Sequence, residues 1–437
     1  MNEHTLSTLD RAHAARLKGD QASALRLGLA CARAAPEAPG PIALLARVLV
    51  DQDRLQDAAK VAEKLVMVEI ARGDLPAAVV ASTLALDAGA PQGPLLSKIA
   101  EAFGKRDKSA PKASVAPPPF PTAAELPEGL QQLDNEPLLV HAADTVAAYL
   151  EAPIAAPAGP RPTAMPLFSA LAPKALARLL GTLRVEEVSG GQEIVRQGDL
   201  GQEAFVVARG LLSVVRHQGA DETQLAQLGP GAMFGEMALL SESPRSASVV
   251  SKEPTQLLVL SRDEIERAAR DAPGLSEELS NFCRERMQDN LVRHARMLAS
   301  VPVEARLGLL AQLESRFYEA GELIIRREQE AERIHLVASG VVSVSVPEGD
   351  DRLVLATLGP GDVLGEISVI LHRPASADVA ALYPTVTYAL GREALGKLMR
   401  QYPGLLVELY ELATRREDEI RAASGDEVLS ADDTVLV

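Results

Sequence analysis

Apolar positions in the first hundred residues recur at helical spacing. In Ala58, Val61, Ala62, Leu65 and Val66 they fall three and four apart, the stripe of an amphipathic helix. Turn-forming pairs interrupt such stripes at Gly19-Asp20, Asp53-Arg54 and Gly73-Asp74, so residues 1–104 read as helix, break, helix. From residue 166 the period shortens. Phe205-Val206-Val207 and Leu211-Leu212 with Val214-Val215 flank a turn at Arg209-Gly210, which is the pattern of a β-hairpin. His335-Leu336-Val337 and Val341-Val342-Ser343-Val344 do the same around Ser339-Gly340. Residues 105–165 follow neither period. Of these 61 residues 25 are Ala or Pro, 11 of them prolines, and Pro117-Pro118-Pro119-Phe120-Pro121 favours polyproline II. This stretch reads as a Pro/Ala-rich linker, with a docking motif for a proline-reading partner as the alternative and a short amphipathic helix near Leu133–Leu150.

The β-rich part is written twice. Gly191 and Gly321 lie 130 residues apart, and so do Gly210 and Gly340, the Leu-Gly-Pro-Gly turns at Leu228 and Leu358, and the Gly-Glu pairs at Gly235 and Gly365. A constant shift across four landmarks means one duplicated domain. Each copy predicts an opening helix, about eight short strands and closing helices; in the first copy these are Arg262–Arg270 and Leu275–Leu298, separated by Asp271-Ala272-Pro273-Gly274. Short strands with glycine turns at this density point to a β-roll or jelly roll.

In the helical part, the first two turns stand 34 residues apart (19 to 53), Ala24 and Ala58 keep the same spacing, and Pro36 falls near the expected end of a first repeat. This resembles a short, degenerate tetratricopeptide array, a stack of helical hairpins that presents a groove to a protein partner. The third turn follows only 20 residues after the second, which breaks the period, and a plain helical bundle without a partner stays open. The expected fold class is α+β: an N-terminal helical-hairpin (tetratricopeptide-like) domain at 1–104, the linker at 105–165, β-roll domains with flanking helices at 166–300 and 301–424, and an acidic tail at 425–437.

One run interrupts the strands of the first roll: Phe234-Gly235-Glu236-Met237-Ala238-Leu239-Leu240-Ser241-Glu242-Ser243-Pro244-Arg245-Ser246-Ala247. Gly235 permits a bend and a close ligand approach that a Cβ would block. Met237–Leu240 reads as a short helical turn whose N–H groups can face an anion. Pro244 stiffens the chain ahead of Arg245, whose forked guanidinium matches two phosphate oxygens. Ser246 and the N–H of Ala247 can complete a nest around the same phosphate. The run resembles the phosphate-binding cassette of the cyclic nucleotide-binding domain family, which includes protein kinase A regulatory subunits, catabolite activator proteins and nucleotide-gated channels. The resemblance implies that Glu236 accepts the ribose 2′-hydroxyl, and it nominates Gly235, Glu236, Met237, Ala238, Arg245, Ser246 and Ala247 as ligand-binding residues. Taken alone, Glu236 and Arg245 would read as a surface salt bridge, and Met237 as a core contact.

The second copy, Leu364-Gly365-Glu366-Ile367-Ser368-Val369-Ile370-Leu371-His372-Arg373-Pro374-Ala375-Ser376-Ala377-Asp378, keeps the glycine and glutamate but has Ala375 at the arginine position. Arg373 lies two residues early and Asp378 adds a negative charge. This copy is expected to bind no cyclic nucleotide at this site; a relocated Arg373 contact or a different ligand are the alternatives.

Composition narrows the function. With 44 basic against 60 acidic residues the net charge is −16, the wrong sign for nucleic acid or an anionic membrane surface. A helix-turn-helix is not expected after the second roll either, because Glu411–Val437 holds 8 acids and 3 bases. Trp is absent and aromatics are 3%, which argues against a carbohydrate-binding surface. The two cysteines, Cys31 and Cys283, read as buried thiols in a reducing compartment. Met1–His4 lacks the start of a secretory signal, and Pro41–Val50 and Leu75–Leu86 are too short to span a bilayer, so a cytoplasmic protein is expected. A phosphate loop, dinucleotide fingerprint or nucleophile elbow is not found, and histidines are too sparse in both rolls for a metal-dependent cupin. No catalytic or metal-binding residues and no cofactor are expected. The sequence therefore predicts a non-enzymatic cyclic nucleotide sensor. Its ligand would be cAMP, with cGMP open, bound in the first roll, and a protein partner would meet residues 1–104. The competing reading is a scaffold whose rolls bind only protein.

Overall fold

The computed structural model describes residues 6–104, 124–154, 165–169, 171–218, 221–239, 244–271, 274–348 and 351–424. The chain forms two compact units, one made of residues 1–239 and 247–282, the other of 240–246 and 283–437.

In the first unit the predicted breaks separate helices that start on their own caps. α1 (Thr8–Leu17) opens on a capping box: the Ser7 hydroxyl accepts from Asp10 N–H at 3.1 Å, and the Asp10 carboxylate accepts from Ser7 N–H at 2.9 Å. Asp20 caps α2 (Gln21–Ala34) and Asp74 caps α5 (Leu75–Asp87), each accepting a backbone N–H at 3.0 Å. Between them run α3 (Pro39–Asp51) and α4 (Leu55–Arg72), and α6 (Gln92–Phe103) follows. Each helix packs on the next. Ala24 and Ala58 are both completely buried, and α2 and α4 begin 34 residues apart (21 to 55), so the spacing read from the turns is also a spacing of helices.

The linker expectation needs correction over its second half. After α7 (Glu128–Gln131), α8 (Asn135–Glu151) packs against α2, α3 and α4 and buries Leu138, Leu139, Ala142, Val146 and Tyr149. Arg26 donates to Leu133 O at 2.7 Å, and Lys64 Nζ lies 4.9 Å from the Tyr149 ring centre and donates to Leu150 O at 3.0 Å. The helix expected near Leu133–Leu150 is therefore part of the helical layer. Pro117–Pro121 and the acidic tail lie outside the described residues.

After α9 (Pro166–Ser169) and α10 (Pro173–Leu180) the first roll runs β1 (Arg184–Val188), β2 (Glu193–Val195), β3 (Glu203–Arg209), β4 (Leu212–Gln218), β5 (Asp221–Leu228), β6 (Met233–Phe234), β7 (Ser248–Ser251) and β8 (Thr255–Ser261). Two four-stranded antiparallel sheets, β1-β8-β3-β6 and β2-β7-β4-β5, enclose a core that includes Val188, Phe205, Val207, Leu212, Phe234 and Leu257. α11 (Arg262–Asp271) and α12 (Leu275–His294) close the copy, with a 3-10 turn at Arg296–Leu298 where a longer helix was expected.

The second roll repeats this plan. α13 (Val303–Leu310) precedes β9 (Glu314–Tyr318), β10 (Leu323–Ile325), β11 (Arg333–Ser339), β12 (Val342–Glu348), β13 (Asp351–Leu358) and β14 (Val363–Leu364). Then come α14 (Glu366–Leu371), β15 (Asp378–Ala381), β16 (Thr385–Gly391), α15 (Arg392–Gln401) and α16 (Pro403–Ser424). Its sheets, β9-β16-β11-β14 and β10-β15-β12-β13, have the strand order of the first. The hairpin glycines explain part of this repetition: Gly210 and Gly340 take φ of 102° and 88°, and a Cβ on either would run into Thr255 or Thr385, residues themselves 130 apart.

The helical domain and the first roll, read from the sequence as separate domains, fold into one unit. Within the first unit the helices sit on the roll. Arg209, at the end of β3, donates to Asp10 of α1 and, at 2.9 Å, to Pro254 O. Arg16 donates to Glu187 of β1 and, at 2.9 Å, to Asp51 of α3. His13 is buried beneath these ions. Burial, with the nearby Arg209 and Arg16 charges, holds its imidazole well below the usual 6.5, so it is neutral.

Candidate functional site

In the first roll the cassette begins where β6 ends. Gly235 takes φ of 75°, the left-handed region that lets the chain leave the sheet and turn at once into the 3-10 segment Glu236–Leu239. Ala238 N–H donates to Gly235 O at 3.1 Å. Phe234 stacks on Phe205 with ring centres 5.0 Å apart, which anchors the entry to the turn. Glu236 is only 5% exposed, so its carboxylate belongs to the interior of the roll rather than to a solvated face. Met237 is half-buried and Ala238 is buried. Leu240–Ser243 lie outside the described residues. Beyond them Arg245 is half-buried and Ser246 exposed, and both group with the second unit, whereas Ala247 is buried in the first. Of the nominated residues, Gly235, Glu236, Met237 and Ala238 form the turn at the end of β6, and Ala247 is buried just before β7.

The second cassette lies wholly in the second unit. Gly365 takes φ of 83°, and a Cβ there would lie 2.6 Å from Arg333 O. Glu366 opens α14 and is 3% exposed. Arg416, fifty residues on in α16, donates to Glu366 Oε1 at 2.8 Å and to Val363 O. Arg373, the candidate for a relocated contact, is about half exposed and its guanidinium pairs with Glu417 of α16 at 2.7 Å. Ala375 is packed into the apolar core with Ile325, Val337, Leu364 and Val379, and its N–H donates to Gln329 O at 2.9 Å. Asp378 accepts from Arg327 N–H at 2.6 Å and pairs with Arg352. Against its partial burial, these contacts hold its carboxyl below the usual range. A phosphate would meet neither a free guanidinium at 375 nor a free N–H there.

The family model of the cyclic nucleotide-binding domain matches residues 185–271 and 315–402, one stretch in each roll. The chain carries two cyclic nucleotide-binding domains in tandem. It is 28% identical over 215 residues to the cAMP-dependent protein kinase type II regulatory subunit of Drosophila melanogaster, which covers 49% of this chain and 54% of that one. It is 40% identical over 125 residues to the cyclic AMP receptor protein of Thermus thermophilus, 28% of this chain and 58% of that one. The chain spans about half the length of the curated relatives it matches. Among solved structures it is similar to the regulatory domain of Toxoplasma gondii PKA with cAMP, at 23% identity over 58% of this chain and 92% of that one, with a TM-score of 0.27.

Both cyclic nucleotide-binding domains share a contact that the sequence reading missed. Arg262, the first residue of α11, donates from Nε and Nη2 to Ala238 O at 3.0 and 2.5 Å. Arg392, the first residue of α15, donates to Ser368 O at 3.3 Å and to Ala331 O at the same distance. Each arginine ties a cassette carbonyl to the helix that leaves the roll. The signal was available: Arg262 and Arg392, like Ala238 and Ser368, lie 130 apart. Among the described residues no helix is long and apolar enough to cross a membrane.

Proposed function

We propose that this chain is a non-enzymatic, cytoplasmic cyclic nucleotide sensor that binds cAMP in its first domain and no cyclic nucleotide in its second. The observation that carries the reading is the contrast between the two cassettes. Both place a left-handed glycine and a buried glutamate at the start of a short helical turn, but Arg245 in the first is Ala375 in the second. In the bound state Glu236 accepts the ribose 2′-hydroxyl, and the turn N–H groups of Met237 and Ala238 face the cyclic phosphate. Arg245, with Ser246 and the N–H of Ala247, neutralises the phosphate charge. The names of the Drosophila and Thermus relatives favour cAMP over cGMP.

The Arg262 clamp supports a route outward: a ligand that shifts the 236–239 turn pulls on α11 through Ala238 O. The N-terminal helices, with Ala24 and Ala58 as buried packing residues, supply a tetratricopeptide-like surface for a protein partner. Calorimetric titration of the full chain with cAMP, cGMP and AMP tests the reading. Saturable heat with cAMP, little with AMP and much weaker binding of cAMP by the Arg245→Ala chain is expected. Silence with both cyclic nucleotides would overturn it in favour of a protein scaffold.

A further inference from the structure

Within the first unit a cavity of about 650 Å³ lies between α3, α4 and α5 of the helical layer and β1 and β3 of the roll. Small-molecule clefts span roughly 300–1,000 Å³. Its walls are mostly aliphatic, with Leu44, Leu65, Val80, Leu84 and Val185 among them, and the cassette contributes none of the lining. The charged groups that reach it are Arg47, Arg72, Arg184 and Arg209 against Glu69, Asp74, Asp87 and Glu187. Most of them are already matched. Arg47 pairs with Asp51 at 3.2 Å and with Asp87 at 2.5 Å, Arg184 with Glu203 at 2.6 Å, and Arg209 with Asp10. Glu187 has Arg16 and, at 2.8 Å, the Gln256 amide. Asp74 accepts from Ala77 N–H at the head of α5, and His13 is neutral.

Glu69 is the exception. It is only 8% exposed, and among the described residues its carboxyl has one polar contact, Oε2 at 3.4 Å from Arg72 Nε. That arginine is itself more than a third exposed, so water screens what it offers. The other groups that face Glu69 bring no cation. Asp74 is an acid, and burial first and Glu69 second push the Tyr149 phenol of α8 up to about 12, which keeps it neutral. Lys64 donates to Leu150 O at 3.0 Å, and Lys98 and Glu101 of α6 are exposed.

We infer that this cavity binds an organic monocation, a primary or secondary ammonium group carried on an apolar body. The ammonium donates to the Glu69 carboxylate and supplies the close positive charge that Arg72 does not. The aliphatic walls take the body out of water. An anion would meet four acids and arginines that, apart from Arg72, already have close partners, and would be poorly repaid for its lost hydration. Binding has a proton signature. Burial and Asp74 push the Glu69 carboxyl up to about 8, so at pH 7 the free chain holds a proton there. When the ammonium arrives the acid becomes a carboxylate, and its proton passes to the buffer.

The test titrates 2-phenylethylamine, tryptamine and hexylamine into the full chain at pH 7, each beside its alcohol and its carboxylate counterpart. Calorimetry in buffers of different ionisation enthalpy counts the protons. At least one amine should bind saturably, roughly tenfold or more tighter than either counterpart, and release close to one proton per ligand. Glu69→Gln should weaken that amine roughly tenfold or more and abolish the release, with a melting curve to verify that the variant is folded. The proton count on the parent chain needs no variant and stands by itself. Silence with all three amines, a counterpart that binds as tightly, binding without proton release, or indifference to Glu69→Gln each overturns the inference.

Discussion

Arg245 carries the sharpest prediction. Removing one partner of a desolvated charge pair costs about 2–5 kcal/mol, because the other charge is left unpaired. Arg245→Ala should therefore weaken cAMP binding by roughly 30-fold to several thousandfold, measured by calorimetry on the full chain. Arg245→Lys should restore only part, since an ammonium keeps the charge and loses the fork. A parent-like affinity in Arg245→Ala would sink the cassette assignment. Arg262→Ala tests a different step. It removes the two hydrogen bonds to Ala238 O without touching the phosphate donors. Ligand affinity should change by less than about tenfold, because the residues assigned to the phosphate and the ribose are all retained. The protection of α11 amides that cAMP brings in hydrogen exchange should disappear; if it persists, the clamp does not couple turn to helix. Glu236 and Ala375 were legible in the sequence because they sit at fixed offsets from a turn glycine. The Arg262 contact was not legible as a contact, since nothing local tells an arginine at a helix start which carbonyl it will meet.

At the scale of elements, the α4–α5 junction stores a pH dependence. Glu69 faces inward near the end of α4. Burial first, and the neighbouring Asp74 second, push its carboxyl up to about 8, and Arg72, more than a third exposed at 3.4 Å, does not restore it. The folded chain therefore holds a proton there that the unfolded chain releases near 4.5. Stability from this group is complete below that value and is lost as pH rises toward about 8, with a slope of at most about 1.4 kcal/mol per pH unit. His13 acts in the opposite sense below 6.5, where the unfolded chain gains a proton that the buried imidazole refuses. Above 6.5 the Glu69 decline is no longer opposed by His13. Thermal melting between 6.5 and about 8 should show a falling midpoint for the parent chain and a flatter one for Glu69→Gln. An unchanged slope in the variant would place the proton elsewhere. Helix α8 teaches a related lesson. Its apolar spacing was readable, but its Ala and Pro surroundings hid the fact that Leu138, Ala142 and Val146 have α2–α4 to pack against.

On the scale of the whole molecule, the first unit joins two domains that the sequence reading had separated. Arg209 of the roll has Asp10 of α1 as its carboxylate, and a guanidinium left without one in a largely desolvated place is costly. Asp10→Asn keeps an acceptor for Ser7 while removing the charge. With the Arg209 side chain still 20% exposed, the loss should be about 2 kcal/mol, seen as a lower melting midpoint of the full chain. A midpoint equal to the parent's would mean that the helices do not rely on this pair.

Local chemistry was enough for the duplication, the β-roll class and the difference between the cassettes. A left-handed turn demands glycine at Gly235 and Gly365, a two-residue alternation demands a strand, and a phosphate demands a cation that Ala375 cannot be. These requirements act within a few residues and leave their mark on the chain. The seating of α1 on β3, Arg373 turned to Glu417, and Arg416 drawn onto Glu366 across fifty positions were settled only by the tertiary structure. In each, an acid that the fold buries meets an arginine from a distant part of the chain. Which acid meets which arginine is decided by the need to satisfy every ion that folding takes out of water, a condition set by the closed fold and by no stretch of sequence alone.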